Sequence, residues 1–123
     1  MDITCELGDA WRSWCNPAGE DSPEDAHFDV GLFEASAAGF RKTAPALTSE
    51  EHEGLIAGIE RICIELASRF CADALNNSYF REDSERYPVA GEHNLHRAHC
   101  QLALAQSVRA QRLACEKVLA TSP

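Results

Sequence analysis

Four side chains with ligating chemistry lie close together late in the sequence: His93, His96, His99 and Cys100. Residues four apart share a helix face, so His96 and Cys100 could each offer a ligand to one metal ion. The spacing places no acid and no second ligand pair beside them to complete a shell. No metal site is therefore expected, and His93 with Asn94 is read as capping the helix that follows. Two charged pairs also sit at helical spacing. Asp9 and Arg12 are three apart, and Arg69 and Asp73 are four apart, so each can pair along its own helix, with Tyr79 packing over the end of the second. Six cysteines, at 5, 15, 63, 71, 100 and 115, form no CxxC and match no zinc ribbon or finger spacing. The four in helical segments read as small buried thiols. No Ser lies in a GxSxG elbow, and neither GxxxxGK[ST] nor GxGxxG occurs, so neither nucleophilic catalysis nor a self-contained phosphate cradle is indicated.

The elements that would position these groups are helices. Leu7–Cys15 reads as a short helix stopped by Asn16-Pro17-Ala18-Gly19. An acidic loop over about 16–28 follows, without the alternating acids and central Gly of a calcium-binding EF-hand. Val30, Phe33, Ala37 and Phe40 recur at helical steps between a cap at Asp29 and a stop at Pro45. Thr48-Ser49-Glu50-Glu51 fits a capping box at the head of a long central helix. That helix carries two adjacent apolar stripes, one of Leu55, Ile59, Ile62, Leu66 and Phe70, the other of Ile56, Cys63, Ala67, Cys71 and Ala74, and is expected to be buried on much of its circumference. Gly54 and Gly58, four apart, would let another backbone approach closely. After an irregular stretch over about 76–92, a last helix runs from about Asn94 to Leu119. Leu95, Ala98, Leu102, Ala105 and Val108 face inward, and the inward face then drifts to Gln111, Cys115 and Val118. With no alternating β pattern and no hairpin turn, the expected fold is all-α, one domain over 1–123 with about four helices.

Composition limits the partners. The 123 residues carry a net charge of −9, and residues 1–34 hold nine acids against Arg12 alone. An acidic surface repels phosphodiesters, so nucleic acid is not an expected partner. No stretch approaches the ~18 apolar residues that span a bilayer, so no membrane partner is expected either. The opening Met1-Asp2-Ile3-Thr4-Cys5-Glu6 lacks a basic leader and an apolar run, which points to the cytoplasm.

A family resemblance is carried by four collinear blocks. Gly8-Asp9-Ala10-Trp11-Arg12-Ser13, continuing to Asn16, Ala18, Glu20 and Asp21, resembles the GDAxRS…N-x-A-x-E-D segment of aminoglycoside-phosphotransferase-like small-molecule kinases, most of all the N-acetylhexosamine 1-kinase branch. Phe28-Asp29-Val30-Gly31-Leu32-Phe33-Glu34-Ala35 is similar to that family's FDxxLFEA helix. Leu66-Ala67-Ser68-Arg69-Phe70-Cys71-Ala72-Asp73 with Tyr79-Phe80 resembles the LxxRFLTDYLxGDxYF block. Tyr87-Pro88 with His93-Asn94-Leu95-His96-Arg97-Ala98 and Gln101-Leu102-Ala103-Leu104 is similar to YP…HNLxRAxxQLAL. The sequence departs from the pattern at Asn77-Ser78, where the family has Gly-Asp, and at Ala74-Leu75, where it has Tyr-Leu.

The resemblance implies the helical end of the C-terminal lobe of an enzyme that moves the ATP γ-phosphoryl group to a small hydroxylated acceptor such as a sugar or amino sugar. It implies that Arg69, Asp73 and Tyr79 face the acceptor pocket and that Asp9 and Arg12 support the catalytic region from below. The phosphate-covering loop, the Lys, the H-x-D-x-x-x-x-N loop and the Mg²⁺-binding Asp of such kinases have no counterpart in this sequence. ATP and Mg²⁺ are thus implied for the intact family and not for this chain alone, which should not catalyse phosphoryl transfer by itself. Either the chain is a truncated gene product, or its partner is a chain supplying the missing lobe. The alternative is a stand-alone helical interaction module that self-associates through faces left uncovered.

Overall fold

The computed structural model describes residues 2–20, 22–43 and 46–120. Among these, the backbone forms six helices and no strand: α1 (Ile3–Trp14), α2 (Val30–Thr43), α3 (Ser49–Glu53), α4 (Leu55–Asn76), α5 (Glu92–Ala110) and α6 (Arg112–Ala120). The all-α expectation holds, with more helices than the sequence pattern marked. Asp2 caps α1 by accepting from the Cys5 amide at 3.1 Å, so that helix starts four residues before Leu7. Asp29 caps α2, its Oδ1 accepting from the Leu32 amide at 2.9 Å. The expected stop at Pro45 lies outside the described residues, as does Asp21 of the acidic loop. The capping box is present: Thr48 Oγ1 accepts from the Glu51 amide at 3.1 Å, and Glu51 Oε1 accepts from the Thr48 amide at 2.9 Å.

The expected central helix is interrupted once. Gly54 separates α3 from α4, and its amide reaches back to the Glu50 and Glu51 carbonyls. α4 packs against both α1 and α5 and forms the axis of the bundle, while α2 and α6 pair beside it. The crossing of α1 over α4 depends on glycine at both surfaces. A Cβ on Gly8 would stand 2.7 Å from the Gly58 carbonyl carbon, and one on Gly58 would stand 2.8 Å from that of Thr4. Only hydrogen fits there, so the two backbones touch.

The main core gathers Trp11, Phe28, Phe33, Leu55, Ile56, Ile59, Val108 and Cys115, with Trp11 edge-on to Phe33 at 5.1 Å. The acidic loop is pinned rather than free at its far end. The Phe28 amide donates to Ser107 Oγ at 2.9 Å, and Gln111 Nε2 donates to the Phe28 carbonyl at 2.7 Å. That second bond falls at the break between α5 and α6, where Gln111 leaves helical geometry (φ −105°, ψ 17°). The expected single helix to Leu119 is therefore two helices, with a residue that serves the loop standing at the joint.

Two apolar expectations are corrected. Leu95 and Leu102 lie 44% and 45% exposed, because α5 turns Asn94, Gln101 and Leu104 inward alongside Ala98, Ala105 and Val108. The second stripe of α4 is buried only in its first half. Ile56 and Cys63 lie inside, and Cys71 is exposed. Burial is the dominant cause that pushes the Cys15 and Cys115 thiols up to about 11 and Cys63 up to about 12, which keeps them protonated and unreactive at neutral pH. Titration of the native protein with a thiol reagent such as dithionitrobenzoate is accordingly expected to modify Cys71 alone in the fast phase. All six cysteines should react in denaturant, and the fast phase should vanish in Cys71→Ser. Rapid reaction of more than one thiol in the folded protein would contradict the burial of the other five.

Candidate functional site

The three residues expected to face an acceptor, Arg69, Asp73 and Tyr79, lie around the C-terminal end of α4. Asn77 adopts left-handed geometry (φ 49°, ψ 45°), a conformation Asn tolerates, and the chain turns back across the head of α5. The strap of residues 77–91 carries no helix or strand, so its amides need other acceptors. Asp73 provides several of them. Its Oδ1 accepts from the amides of Ser78 and Tyr79, both at 2.9 Å, and from Ser78 Oγ at 3.3 Å. Its Oδ2 accepts from the Phe80 amide at 2.8 Å and from Asn94 Nδ2 at 3.1 Å. Burial raises the Asp73 carboxyl, and the donors from Ser78, Phe80 and Tyr79 outweigh it, so the group is held below the ordinary aspartate range.

Asn94 and Glu82 complete the fastening. Fully buried Asn94 accepts from Arg97 Nη1 at 3.0 Å, and the same Nη1 donates to the Arg81 carbonyl at 3.0 Å. Glu82, on the strap itself, accepts from the Gly91 and Asn94 amides, both at 2.9 Å. Burial raises its carboxyl, and the Asn94 and Gly91 amides, with the nearby Arg97 charge, bring it below the ordinary range. Glu82 thus caps α5 from ten residues upstream, with Gly91 as the entry residue. This corrects the expectation that His93 and Asn94 cap that helix. His93 Nδ1 instead accepts from the Asp83 amide at 2.9 Å, which assigns the proton of the neutral ring to Nε2, and the ring stacks on Tyr87 at 4.4 Å and 10°.

Of the three candidate acceptor contacts, the structure brings Arg69 and Tyr79 together on the outside and turns Asp73 inward. The Arg69 guanidinium lies 5.7 Å from the Tyr79 ring centroid and 6.0 Å from that of Phe80, rather than on Asp73. Tyr79 is 75% exposed and edge-on to Phe80 at 4.8 Å. A cleft of about 410 Å³ runs along the strap past Ser78, Tyr79, Glu82 and Tyr87. An exposed aromatic face beside a cation suits the C–H face of a polyhydroxylated ring. Asp9 and Arg12 form the local pair their spacing predicts, with Arg12 Nε and Nη2 on Asp9 Oδ1 at 3.0 and 2.6 Å.

These residues do not fit a Mg²⁺–nucleotide site. Asp73 and Glu82 are engaged by amides and Asp9 by Arg12. Among the described residues no three His, Cys, Asp or Glu side chains come together. His96 Nδ1 donates to the Glu92 carbonyl at 2.9 Å, and buried Cys100 lies 3.3 Å from the Gly19 carbonyl. Among the described residues no helix is long and apolar enough to cross a membrane.

The sequence reading missed Asn94 as the hub of the strap and Glu82 as a remote cap. The sequence carried no clear signal for Asn94, since α5 is rich in polar residues and also buries His93 and Gln101. Glu82 had none either, since its partners are set by how the strap folds. No protein-family model matches this chain, and no curated protein matches it.

Proposed function

We propose that this chain is the acceptor-binding helical part of an ATP-dependent phosphotransferase resembling the aminoglycoside-phosphotransferase-like kinases, cytoplasmic and not catalytic alone. In this reading Arg69 and Tyr79 meet a small hydroxylated acceptor such as a sugar or amino sugar. Asp73 positions them by folding the strap, and the Asp9–Arg12 pair braces the surface against the nucleotide-binding part, which another polypeptide segment or chain supplies together with ATP and Mg²⁺. One observation carries it. The strap is held together by residues from two separate blocks of the resemblance, Asp73 with Tyr79 and Phe80 from one and Asn94 with Arg97 from the other. A ligand surface requires supporting residues of this kind, which fix the segment that carries Tyr79 and Phe80.

The proposal is tested by reading the genomic and transcript sequence upstream of the Met1 codon. Codons for an H-x-D-x-x-x-x-N loop and a Mg²⁺-binding Asp, in frame or one frameshift away, are the expected result. Upstream sequence encoding an unrelated protein, with no separate gene supplying these motifs, would overturn it.

A second reading, a helical interaction module, is favoured by one specific feature. A groove of about 500 Å³ between α4 and α5 exposes Ile64, Leu75, Leu95 and Leu102, with Leu75 at 87%. Light scattering separates the two readings. A stable oligomer that Leu75→Glu dissociates supports the module, and a monomer across about 1–100 μM removes it.

A further inference from the structure

A third cavity, of about 300 Å³, opens beside the Phe70 and Phe80 rings, which meet at 4.3 Å and a 41° tilt, and neither Arg69 nor Tyr79 lines it. In a chain of net charge −9, its wall carries three arginines, Arg12 from α1, Arg81 from the strap and Arg97 from α5, against one acid, Glu20. Two of the guanidinium groups are already fixed in place. Arg12 is held by Asp9 and its side chain is 13% exposed. Arg97 is held by the Arg81 carbonyl and Asn94, lies 5.7 Å from the Phe70 ring centroid, and has a buried Nε with no hydrogen-bond partner. Arg81 is exposed, and its guanidinium makes no ion pair among the described residues. Asp9 already offsets the charge of Arg12 and Glu20 offsets part of the rest, and an anion in the cavity would offset the charge that Arg81 and Arg97 keep. Groups held in advance lose little side-chain freedom when one binds. A planar guanidinium fork matches two oxygens of a tetrahedral oxyanion, and the apolar floor of Leu66, Phe70 and Phe80 lowers the local dielectric and strengthens that pairing.

We propose that this cavity binds a phosphate group, as inorganic phosphate or as the head of a phosphate monoester. The inference does not need the acceptor reading: Phe80 and Arg81 border both openings, but the phosphate contacts are made by Arg12, Arg81 and Arg97 and not by Arg69 or Tyr79.

The test is a titration of the full chain with inorganic phosphate at pH 7 and constant ionic strength, followed by amide chemical shifts, with acetate as the second ligand. Saturable binding in the millimolar range or tighter is expected, with acetate at least about tenfold weaker. Arg81→Ala keeps the backbone carbonyl that Arg97 uses and should weaken phosphate about tenfold. Glu20→Gln removes the opposing charge and should tighten it several-fold. The inference is overturned by any of three results: no saturation by about 20 mM, unchanged affinity in both variants, or acetate binding as well as phosphate.

Discussion

Gly58→Ala is expected to destabilise the protein by about 3 kcal/mol, measured by urea denaturation with an unchanged m-value. The added methyl would meet main-chain atoms of Thr4, which a rotamer change cannot move, so α1 must be displaced from α4 along its whole length. Alanine gains roughly 0.5–1 kcal/mol in helix propensity over glycine, which reduces the loss without cancelling it. Gly39→Ala on α2 is the control. Nothing lies within 4 Å of its Cβ position, so the propensity gain should appear alone as a small stabilisation. Gly58→Ala as stable as the parent would mean that the helices do not cross there.

Asp73→Ala is expected to lower the Tm by on the order of 10 °C, because Asn94 Nδ2 is left buried without its acceptor and the strap amides must find water. The pH dependence follows from the direction of the shift. Asp73 and Glu82 both titrate below their unfolded values, so their contribution is fully present above the ordinary carboxylate range of about 4. It is lost as pH falls through the lower folded values. Stability should therefore be flat near neutrality and decline progressively below about pH 4. Asp73→Asn, which replaces one acceptor oxygen with a donor, should be less stable than the parent at pH 7. The gap should narrow as pH falls below the ordinary carboxylate range of about 4, where the unfolded parent takes up a proton and the carboxylate's contribution is lost. A gap that stays constant across this range would show that Asp73 does not hold the strap as a carboxylate.

What the sequence made legible follows from which forces are local. The cap at Asp29, the box at Thr48 and Glu51 and the Asp9–Arg12 pair are decided within one helical turn, and each stands where its spacing placed it. Gly58 was readable as a close approach, though not the identity of its neighbour. The break at Gln111 was not readable, because its cause is the carbonyl of Phe28, 83 residues away. Leu95 and Leu102 misled for a related reason. Apolar periodicity assumes that the inward face is apolar, whereas Asn94 goes inward to join Asp73 and rotates the helix accordingly. In the candidate site, the family resemblance pointed to Arg69, Asp73 and Tyr79 as a group. Only the fold separates the two that face outward from the one that holds them there.

The central claim is that the Arg69–Tyr79 surface binds a small hydroxylated acceptor. The most direct measurement is a titration of the labelled full chain with N-acetylglucosamine up to about 20 mM, followed by amide chemical shifts. Saturable shifts confined to the region of Arg69 and residues 77–82, weakened about tenfold by Arg69→Ala with the rest of the spectrum unchanged, are the predicted result. The account is contradicted if neither this sugar nor other hexoses and amino sugars bind in that range, or if the shifts they cause are indifferent to Arg69→Ala.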